Sequence, residues 1–563
     1  MESVIDTAVR APIRRPGPAR ILPDPFYYLS NFEKVVASLD AHYEALWTAQ
    51  ERQFIGDFRA LAREPRALLV RMVIRKGVLF RASRLNYPEI GETRRAVAPL
   101  LTLGWVEQES SLDVDSLAQI FTKAELLDHF SQQGIGRQLT KSELIGALRG
   151  QDPQPVSLQT WQRESADCVY GLRAAPLCEQ LRLMFFGNFH QDWSDLVLAD
   201  LGLFSYEKIP RSLQTAAFRT RAQIEALFQL HRCRQLLEAE EDLSSIGPQL
   251  PPPVEDCGWI EDLRQRLMFQ IARAQERKRD WDSALLGYSA CKHRGSRMRA
   301  IRLHERAGHC GLARDMCLAA TEHPESAVER SEAQRVLLRL NRKLGIGGTP
   351  AAAKIDLPSF ELAFGAAISA AGVEQYVRDQ LILAGGGRTS VHFVENSLVI
   401  SLFGLLCWQA IFAPIAGAFF HEFQQGPADL SNGNFYERRR RLFDESFAQL
   451  GTDQYQTTIR RCYADKKGIQ SPFVSWASLS ADLLDCALEC FPAAHLRLWF
   501  EWIVDDLQDN RAGFPDLVQF WPMERRYRLI EVKGPGDRLQ DNQRRLLEFC
   551  VSHRMPVSVC YLR

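Results

Sequence analysis

The apolar positions of this chain keep a helical period over most of its length and change to strand-like runs near its end. After Phe26-Tyr27-Tyr28-Leu29-Ser30-Asn31-Phe32 the three-to-four-residue spacing of a half-buried helix sets in, and across residues 161–345 it is almost wholly helical. Pro251-Pro252-Pro253 interrupts it, and Gly345-Ile346-Gly347-Gly348-Thr349-Pro350 marks a boundary. Residues 373–383 read as one more helix, ended by Gly385-Gly386-Gly387. Gly513-Phe514-Pro515-Asp516-Leu517-Val518-Gln519-Phe520 and Arg528-Leu529-Ile530-Glu531-Val532-Lys533-Gly534 are different. Each is a short run rich in Val, Ile, Leu and Phe between Gly or Pro, which predicts a strand. Residues 521–527 then form the turn of an antiparallel hairpin centred near Met523 or Glu524, and residues 556–562 supply a further strand. The fold class expected is multidomain, with mostly α-helical N-terminal and middle regions followed by an α/β domain.

Local signals refine the helical part. Thr122-Lys123-Ala124-Glu125 and Thr140-Lys141-Ser142-Glu143 each have the spacing of a capping box, so two short helices are predicted around a Gly134-Ile135-Gly136 turn. The stretches beginning at Asp280-Trp281 and Arg306-Ala307-Gly308 fall near the spacing of tetratricopeptide helix pairs, which predicts a short helical-repeat region. Residues 398–420 are uncharged and long enough to cross a bilayer, but Gln409, Pro414 and two glycines interrupt them. A buried helix with a following turn is expected there, and no membrane role.

At 563 residues the chain should hold several domains, and 46% hydrophobic residues can supply their cores. Formal net charge is zero, so any nucleic-acid surface must be local. Residues 63–95 carry nine Lys/Arg (Arg63, Arg66, Arg71, Arg75, Lys76, Arg81, Arg84, Arg94, Arg95) against three acids, a surplus of six. Such a cluster fits phosphate-backbone binding, with an ordinary solvated helical face as the alternative. Thirteen cysteines without a Cys-x-x-Cys read as reduced thiols, against zinc or a disulfide framework. Residues 1–20, rich in Arg, Pro and Ala, read as a disordered basic arm.

The hairpin carries the candidate chemistry. Counting outward from its centre places Asp516 opposite the Glu531–Lys533 end, where cross-strand Cβ atoms lie roughly 5–8 Å apart. Alternation puts Glu531 and Lys533 on one face and Ile530 and Val532 on the other, an ion-binding face and a core face. Mg²⁺ or Mn²⁺ takes hard oxygen ligands, and an adjacent ammonium can steady developing negative charge. A bare Asp…Glu-x-Lys is more often a solvated edge hairpin. Pro515 before Asp516, and Gly534-Pro535-Gly536-Asp537-Arg538-Leu539-Gln540 after Lys533, reverse that balance. Asp537 and Gln540 have N-cap and N3 spacing, and Gln540 and Gln543 would share one helical face. Ahead of the apolar run lies Glu395-Asn396, a lone acid costly to bury unless paired or metal-bound. An exposed cap beside the helix dipole is the competing reading.

The Glu531-Val532-Lys533-Gly534-Pro535 motif, with Asp516 and Gln543, resembles the VRR-NUC branch of the PD-(D/E)xK nucleases. The aromatic opening at residues 26–32, the Arg71-Met-Val-Ile-Arg-Lys76 and Leu85-Asn-Tyr-Pro-Glu-Ile-Gly91 stretches, the paired capping boxes, the helical repeats and Leu402-Phe-Gly-Leu-Leu406 extend the likeness over the whole chain. On these the chain is identified as a member of the Fanconi-associated nucleases, of a short bacterial type. The resemblance implies a structure-specific DNA repair nuclease with 5′-flap endonuclease and 5′-to-3′ exonuclease activity, acting on interstrand cross-links. It implies Asp516, Glu531 and Lys533 as the catalytic trio, with a supporting role for Gln543 and, beside it, Gln540. Glu395, Asp516, Glu531 and the Val532 carbonyl are the implied ligands of Mg²⁺ or Mn²⁺. Branched or flapped duplex DNA is the implied partner, held by Arg63, Arg66, Arg71, Arg75, Lys76, Arg81 and Arg84.

The domains expected are a basic helical DNA-binding region over residues 1–105, a SAP-like helical hairpin over 106–155, and tetratricopeptide-like repeats over 156–345. A linker over 346–358 and a VRR-NUC nuclease domain over 359–563 follow. The first cysteine is Cys168, so no N-terminal ubiquitin-binding zinc finger is expected. Asn542 stands where larger members of the family have a lysine that holds a 5′-terminal phosphate, so flap-end recognition should differ. A cytoplasmic, nucleoid-associated monomer is expected, with a dimer the variant. A Holliday-junction resolvase and a non-catalytic DNA-binding scaffold are the rival functions.

Overall fold

A computed structural model describes residues 24–109, 111–130, 138–149, 167–200, 204–210, 215–254, 256–347, 355–363 and 372–563. The expected basic arm, the Gly134–Gly136 turn and most of the expected linker lie outside these residues. The chain divides into two compact units, residues 1–205 with 218–224, and residues 206–217 with 225–563.

In the first unit, helices Tyr27–Tyr43, Ala49–Ala60, Arg63–Ile74 and Thr93–Thr102 bury one apolar stripe each, as the periodicity requires. Beside them lies a small antiparallel sheet ordered β1-β3-β2, made of Leu79–Arg81 (β1), Val106–Gln108 (β2) and Val169–Leu172 (β3). All four residues of β3 are buried between two partners. This strand lies inside the span that reads as almost wholly helical, and it pairs with segments on the N-terminal side of the SAP-like pair. Helices Lys123–Phe130 and Lys141–Arg149 begin at Thr122 and Thr140 as expected. Each Thr hydroxyl accepts from the amide three residues on, at 3.3 Å, and the returning bonds to Glu125 and Glu143 are 2.7 and 2.6 Å.

In the second unit, five successive helices, Gly258–Arg277, Trp281–Ala290, Ser296–Arg306, Cys310–Glu322 and Ala327–Lys343, pack each against the next. The α/β part is a five-stranded sheet ordered β4-β8-β7-β6-β5. Its strands are Ser359–Leu362 (β4), Ser390–Phe393 (β5), Leu517–Trp521 (β6), Arg526–Lys533 (β7) and Val557–Leu562 (β8). β8 runs parallel to both β4 and β7, and β6 is antiparallel to β5 and β7. Helix Asp541–Ser552 connects β7 to its parallel neighbour β8, as a parallel pair demands.

Core covers both faces of this sheet, so the face expected to bind the ion is packed as well as the core face. Leu517, Ile530, Val532 and Cys560 pack with Val377 and Leu381 of helix Val373–Ala384. Val518, Phe520, Tyr527 and Leu529 join the larger cluster around Leu402, Phe403 and Trp499. Glu531 and Lys533 share the alternation of Tyr527 and Leu529, so they extend a buried face. Residues 398–420 are two short helices, Leu398–Leu406 and Trp408–Ile411, and then turns. Gly404 is needed in the first, because a Cβ there would lie 2.7 Å from that of Phe473. Among the described residues no helix is long and apolar enough to cross a membrane.

Candidate active site

The hairpin turn is shorter than the sequence suggests: β6 continues through Trp521, β7 starts at Arg526, and Arg525 adopts the left-handed conformation at φ 48°. The register is the expected one. Trp521 pairs with Arg526 and Leu517 with Ile530, so the next step outward sets Asp516 against Glu531.

Asp516 is held from three directions. Its Oδ2 accepts a 2.8 Å hydrogen bond from the Val532 amide. Its carbonyl accepts from the Val394 amide at 2.9 Å. Two residues earlier, the Phe514 amide donates to Asn396 Oδ1 at 2.9 Å. The Glu395-Asn396 turn is therefore stitched to the start of β6, with Asn396 at φ 48°. Gly513 opens this segment at φ 99°, and a Cβ there would lie 2.7 Å from the Asn542 carbonyl oxygen. Only glycine fits both conditions.

Glu531 is 1% exposed and Lys533 8%. The Lys533 ammonium lies 2.9 Å from Glu531 Oε1, an ion pair, yet neither oxygen of Glu531 accepts a well-directed hydrogen bond. Burial pushes the Glu531 carboxyl up to about 7, helped by the charge of Asp516 and opposed by Lys533. Asp516 is likewise raised by burial, with the Val532 amide pulling the other way and Glu395 adding to the rise. Two crowded carboxylates that share one ammonium are costly without a further cation. Hard oxygens without Cys or His suit a Mg²⁺-like ion.

The sequence-predicted residues divide by environment. Asp516, Glu531 and Lys533 come together. Glu395 lies beside them, near enough for its charge to act on both acids, but its side chain is exposed. Among the described residues no three His, Cys, Asp or Glu side chains form a ready-made metal group. Ser397, not Glu395, stands at the N-cap of the apolar helix, so Glu395 is neither buried nor the cap. Glu374, in the first turn of helix Val373–Ala384, also raises Asp516 and was not singled out from the sequence.

The helix after the motif corrects the predicted cap. Its N-cap is Gln540 and its N3 residue Gln543, whose Oε1 accepts from the Gln540 amide at 2.9 Å. Asp537 closes the preceding turn, accepting from the Gly534 amide at 3.1 Å. Gln543 thus holds the helix start beside the motif.

In the N-terminal basic patch the cations are unequal. Arg81 is buried and paired with Glu125 at 2.7 Å and Asp167 at 3.0 Å. Arg71 lies over the Tyr28 ring and pairs with Glu89 at 2.5 Å, and Arg66 pairs with Glu33 at 2.5 Å. Arg63, over the Phe26 ring, Arg75, Lys76 and Arg84 are exposed.

Known proteins resemble this chain over most of its length. The VRR-NUC domain model matches residues 451–563, which include Asp516, Glu531, Lys533 and Gln543 but not Glu395. The model described as the FAN1 HTH domain matches residues 26–107, and the Fanconi anemia-associated nuclease SAP domain matches 111–161. A Fanconi-associated nuclease 1 homolog of Pseudomonas aeruginosa is 46% identical over 98% of both chains. One from Arabidopsis thaliana is 25% identical over 95% of this chain and 67% of its own. The crystal structure of paFAN1 bound to DNA with a 2-nt 5′ flap and a gap superposes with a TM-score of 0.91. It is 46% identical and covers 97% of this chain and 99% of that one.

Proposed function

Since the chain belongs to the Fanconi-associated nuclease family, and is a structure-specific DNA nuclease of DNA repair, we propose that it cuts 5′ flaps near the junction with duplex DNA, using Asp516, Glu531 and Lys533. Nucleases with this domain generally use divalent metals; here the ion proposed is Mg²⁺ or Mn²⁺. The observation that carries the site assignment is the unsatisfied, buried Glu531 carboxylate set against Asp516.

Asp516, with Oδ2 fixed by the Val532 amide, and Glu531, whose Oε1 is ion-paired with Lys533 and neither of whose oxygens accepts a well-directed hydrogen bond, would hold the ion, aided by the Val532 carbonyl and by Glu395. When bound, the ion would polarise a phosphoryl oxygen and lower the pKa of a bound water. Lys533 places an ammonium next to the developing negative charge. Gln543 keeps the neighbouring helix start in place. Flap selection rests on the resemblance to the 5′-flap-bound relative, and exonuclease action, cross-link repair and a cytoplasmic site of action are proposed with it.

The deciding experiment compares a labelled 5′ flap and a four-way junction, with and without Mg²⁺ or Mn²⁺. Metal-dependent incision of the flap is expected, and none for the Asp516→Ala variant. Preference for the four-way junction would favour a resolvase, and metal-independent binding without cleavage a scaffold.

A further inference from the structure

The repeat helices hold a second concentration of positive charge that the nuclease chemistry does not use. Residues 258–343 contain eighteen Lys/Arg and eleven Asp/Glu, a surplus of seven in a chain of zero net charge. Part of that surplus converges on one cleft of about 370 Å³, lined by Arg273, Arg277, Arg279, Arg299 and Arg306 with Trp281 and Glu276.

The helical spacing explains the convergence. Arg273 and Arg277 stand four apart at the end of helix Gly258–Arg277, and Arg299 and Arg306 stand seven apart on helix Ser296–Arg306. Each pair lies on one stripe of its helix. Arg279 joins them from the connecting turn at φ 64°, a position where glycine is the usual residue. Trp281, half-buried, opens the next helix.

A basic helix end is ordinarily a solvated face that favours the helix dipole. The ion pairs here argue for more. Glu276 is the one acid of the cleft; Arg299 lies 3.5 Å and Arg306 3.8 Å from its Oε1, while its Oε2 accepts from the Tyr288 hydroxyl at 2.6 Å. Arg273, Arg277 and Arg279 are exposed, and none of them forms an ion pair among the described residues. The contrast with residues 63–95 is direct, since Arg66, Arg71 and Arg81 there are all paired internally. Five guanidiniums around one carboxylate leave the cleft short of negative charge by four.

We propose that this arginine cleft binds the phosphate backbone of single-stranded DNA, with Trp281 as a stacking surface for a base. Guanidinium forks match phosphate oxygens in pairs, and an aromatic face interleaved with cations is the arrangement that holds a single strand without sequence preference. The site would grip the unpaired strand of a branched substrate away from Asp516 and Glu531. It rests on the nuclease reading only for the source of that strand, because binding to the cleft needs no cleavage.

The test measures anisotropy of a fluorescent oligothymidine with the full chain, without divalent metal, over a salt series. Replacing Arg273, Arg277 and Arg279 by Gln should flatten the logarithmic salt slope by roughly 2, at about 0.7 per phosphate contact. Trp281→Ala should weaken binding on the order of tenfold. The triple Lys variant, which keeps the charge, should retain most of the slope. Incision of a flapped duplex at saturating protein should be unchanged in the Gln variant, which separates this site from failure of the catalytic assignment. An unchanged slope in a Gln variant that melts like the parent would overturn the proposal. So would unaltered oligothymidine binding together with lost affinity for polyglutamate, which would mark the cleft as a site for an acidic protein. If the triple Gln variant does not fold, the exposed single change Arg279→Gln must still lower the slope.

Discussion

Asp516 and Glu531 face each other across the β6–β7 hairpin, one step beyond the pair Leu517–Ile530. The relationship sets two carboxylates into the edge of a buried face, with a single ammonium, Lys533, at 2.9 Å from Glu531. Everything around the pair fixes it there: the Val532 amide on Asp516, the Asn396 side chain on Phe514, and Gly513 against the backbone of Asn542. Good packing holds the two carboxylates in an arrangement that favours a bound cation.

The first consequence is a separation of chemistry from binding. Asp516→Ala and Glu531→Ala should each abolish most flap incision, and Lys533→Ala should lower it on the order of 10²–10³-fold. None of the three should change flap affinity by more than a few fold, since Glu531 and Lys533 are buried and Asp516 half-buried, so they offer little surface to the DNA. Single-turnover rates and gel-shift affinities check this; an active Asp516→Ala protein would remove it from the site.

A pH signature follows from Glu531, raised from its ordinary 4.5 to about 7. Below pH 4.5 the group is protonated in both folded and unfolded chains and costs nothing. As pH rises toward 7 the unfolded chain ionises first, so the metal-free protein loses stability, on the order of 3 kcal/mol once past both values. Melting temperature without metal should fall across that window, and Glu531→Gln should remove this part of the fall. Added Mg²⁺ should raise the melting temperature more at pH 8 than at pH 5, because it binds the ionised form. Equal stabilisation at both values would contradict the assignment.

The hairpin register was legible in the sequence because a two-stranded pairing is fixed by the centre of its turn, and the shorter turn keeps that centre. The capping boxes at Thr122 and Thr140 were legible for the same reason: both partners lie within one turn. What escaped depends on distant segments. β4 pairs with β8 roughly two hundred residues away, and β5 and β3 are four-residue strands with no hairpin partner next to them in sequence. Burial of Glu531 escaped as well, because alternation says which residues share a face but not that both faces are covered. In the same way a run of arginines shows charge, while only the fold shows that Arg81 is occupied with Glu125 and Asp167.

Glu395 can be tested against the capping alternative. Its side chain is exposed and the helix N-cap is Ser397, so Glu395→Gln should leave the metal-free melting temperature within about 1 °C of the parent. Cleavage should drop sharply if Glu395 completes the ion's ligands, and the drop should be partly relieved at higher Mn²⁺ concentration. A loss of roughly 1 kcal/mol with cleavage retained would give Glu395 a role in holding that turn and none in the ion's ligands.

The basic patch near the N-terminus should divide into two classes. Arg75, Lys76 and Arg84 are exposed, and Arg75 donates to the Arg84 carbonyl and the Tyr87 hydroxyl, at 3.1 and 3.2 Å, and lies over the Phe80 ring. Replacing these three together by Gln should weaken flap binding about equally for every sequence and reduce the logarithmic salt slope by roughly 2.7, at about 0.9 per duplex phosphate. Stability should barely move. Arg81→Gln should behave in the opposite way, because it removes a buried guanidinium that pairs with both Glu125 and Asp167. A destabilisation of about 3 kcal/mol is expected, with the salt slope intact in the fraction that remains folded. Thermal melts and salt titrations of the two variants side by side decide it. A lowered slope for Arg81→Gln, or an unchanged one for the exposed trio, would mean that duplex phosphates are held elsewhere, the Arg438–Arg441 run being the next place to look. There too Arg439 is fully buried against Asp429 and the half-buried Arg438 pairs with the same carboxylate, which leaves Arg440 and Arg441 as the exposed members of the run.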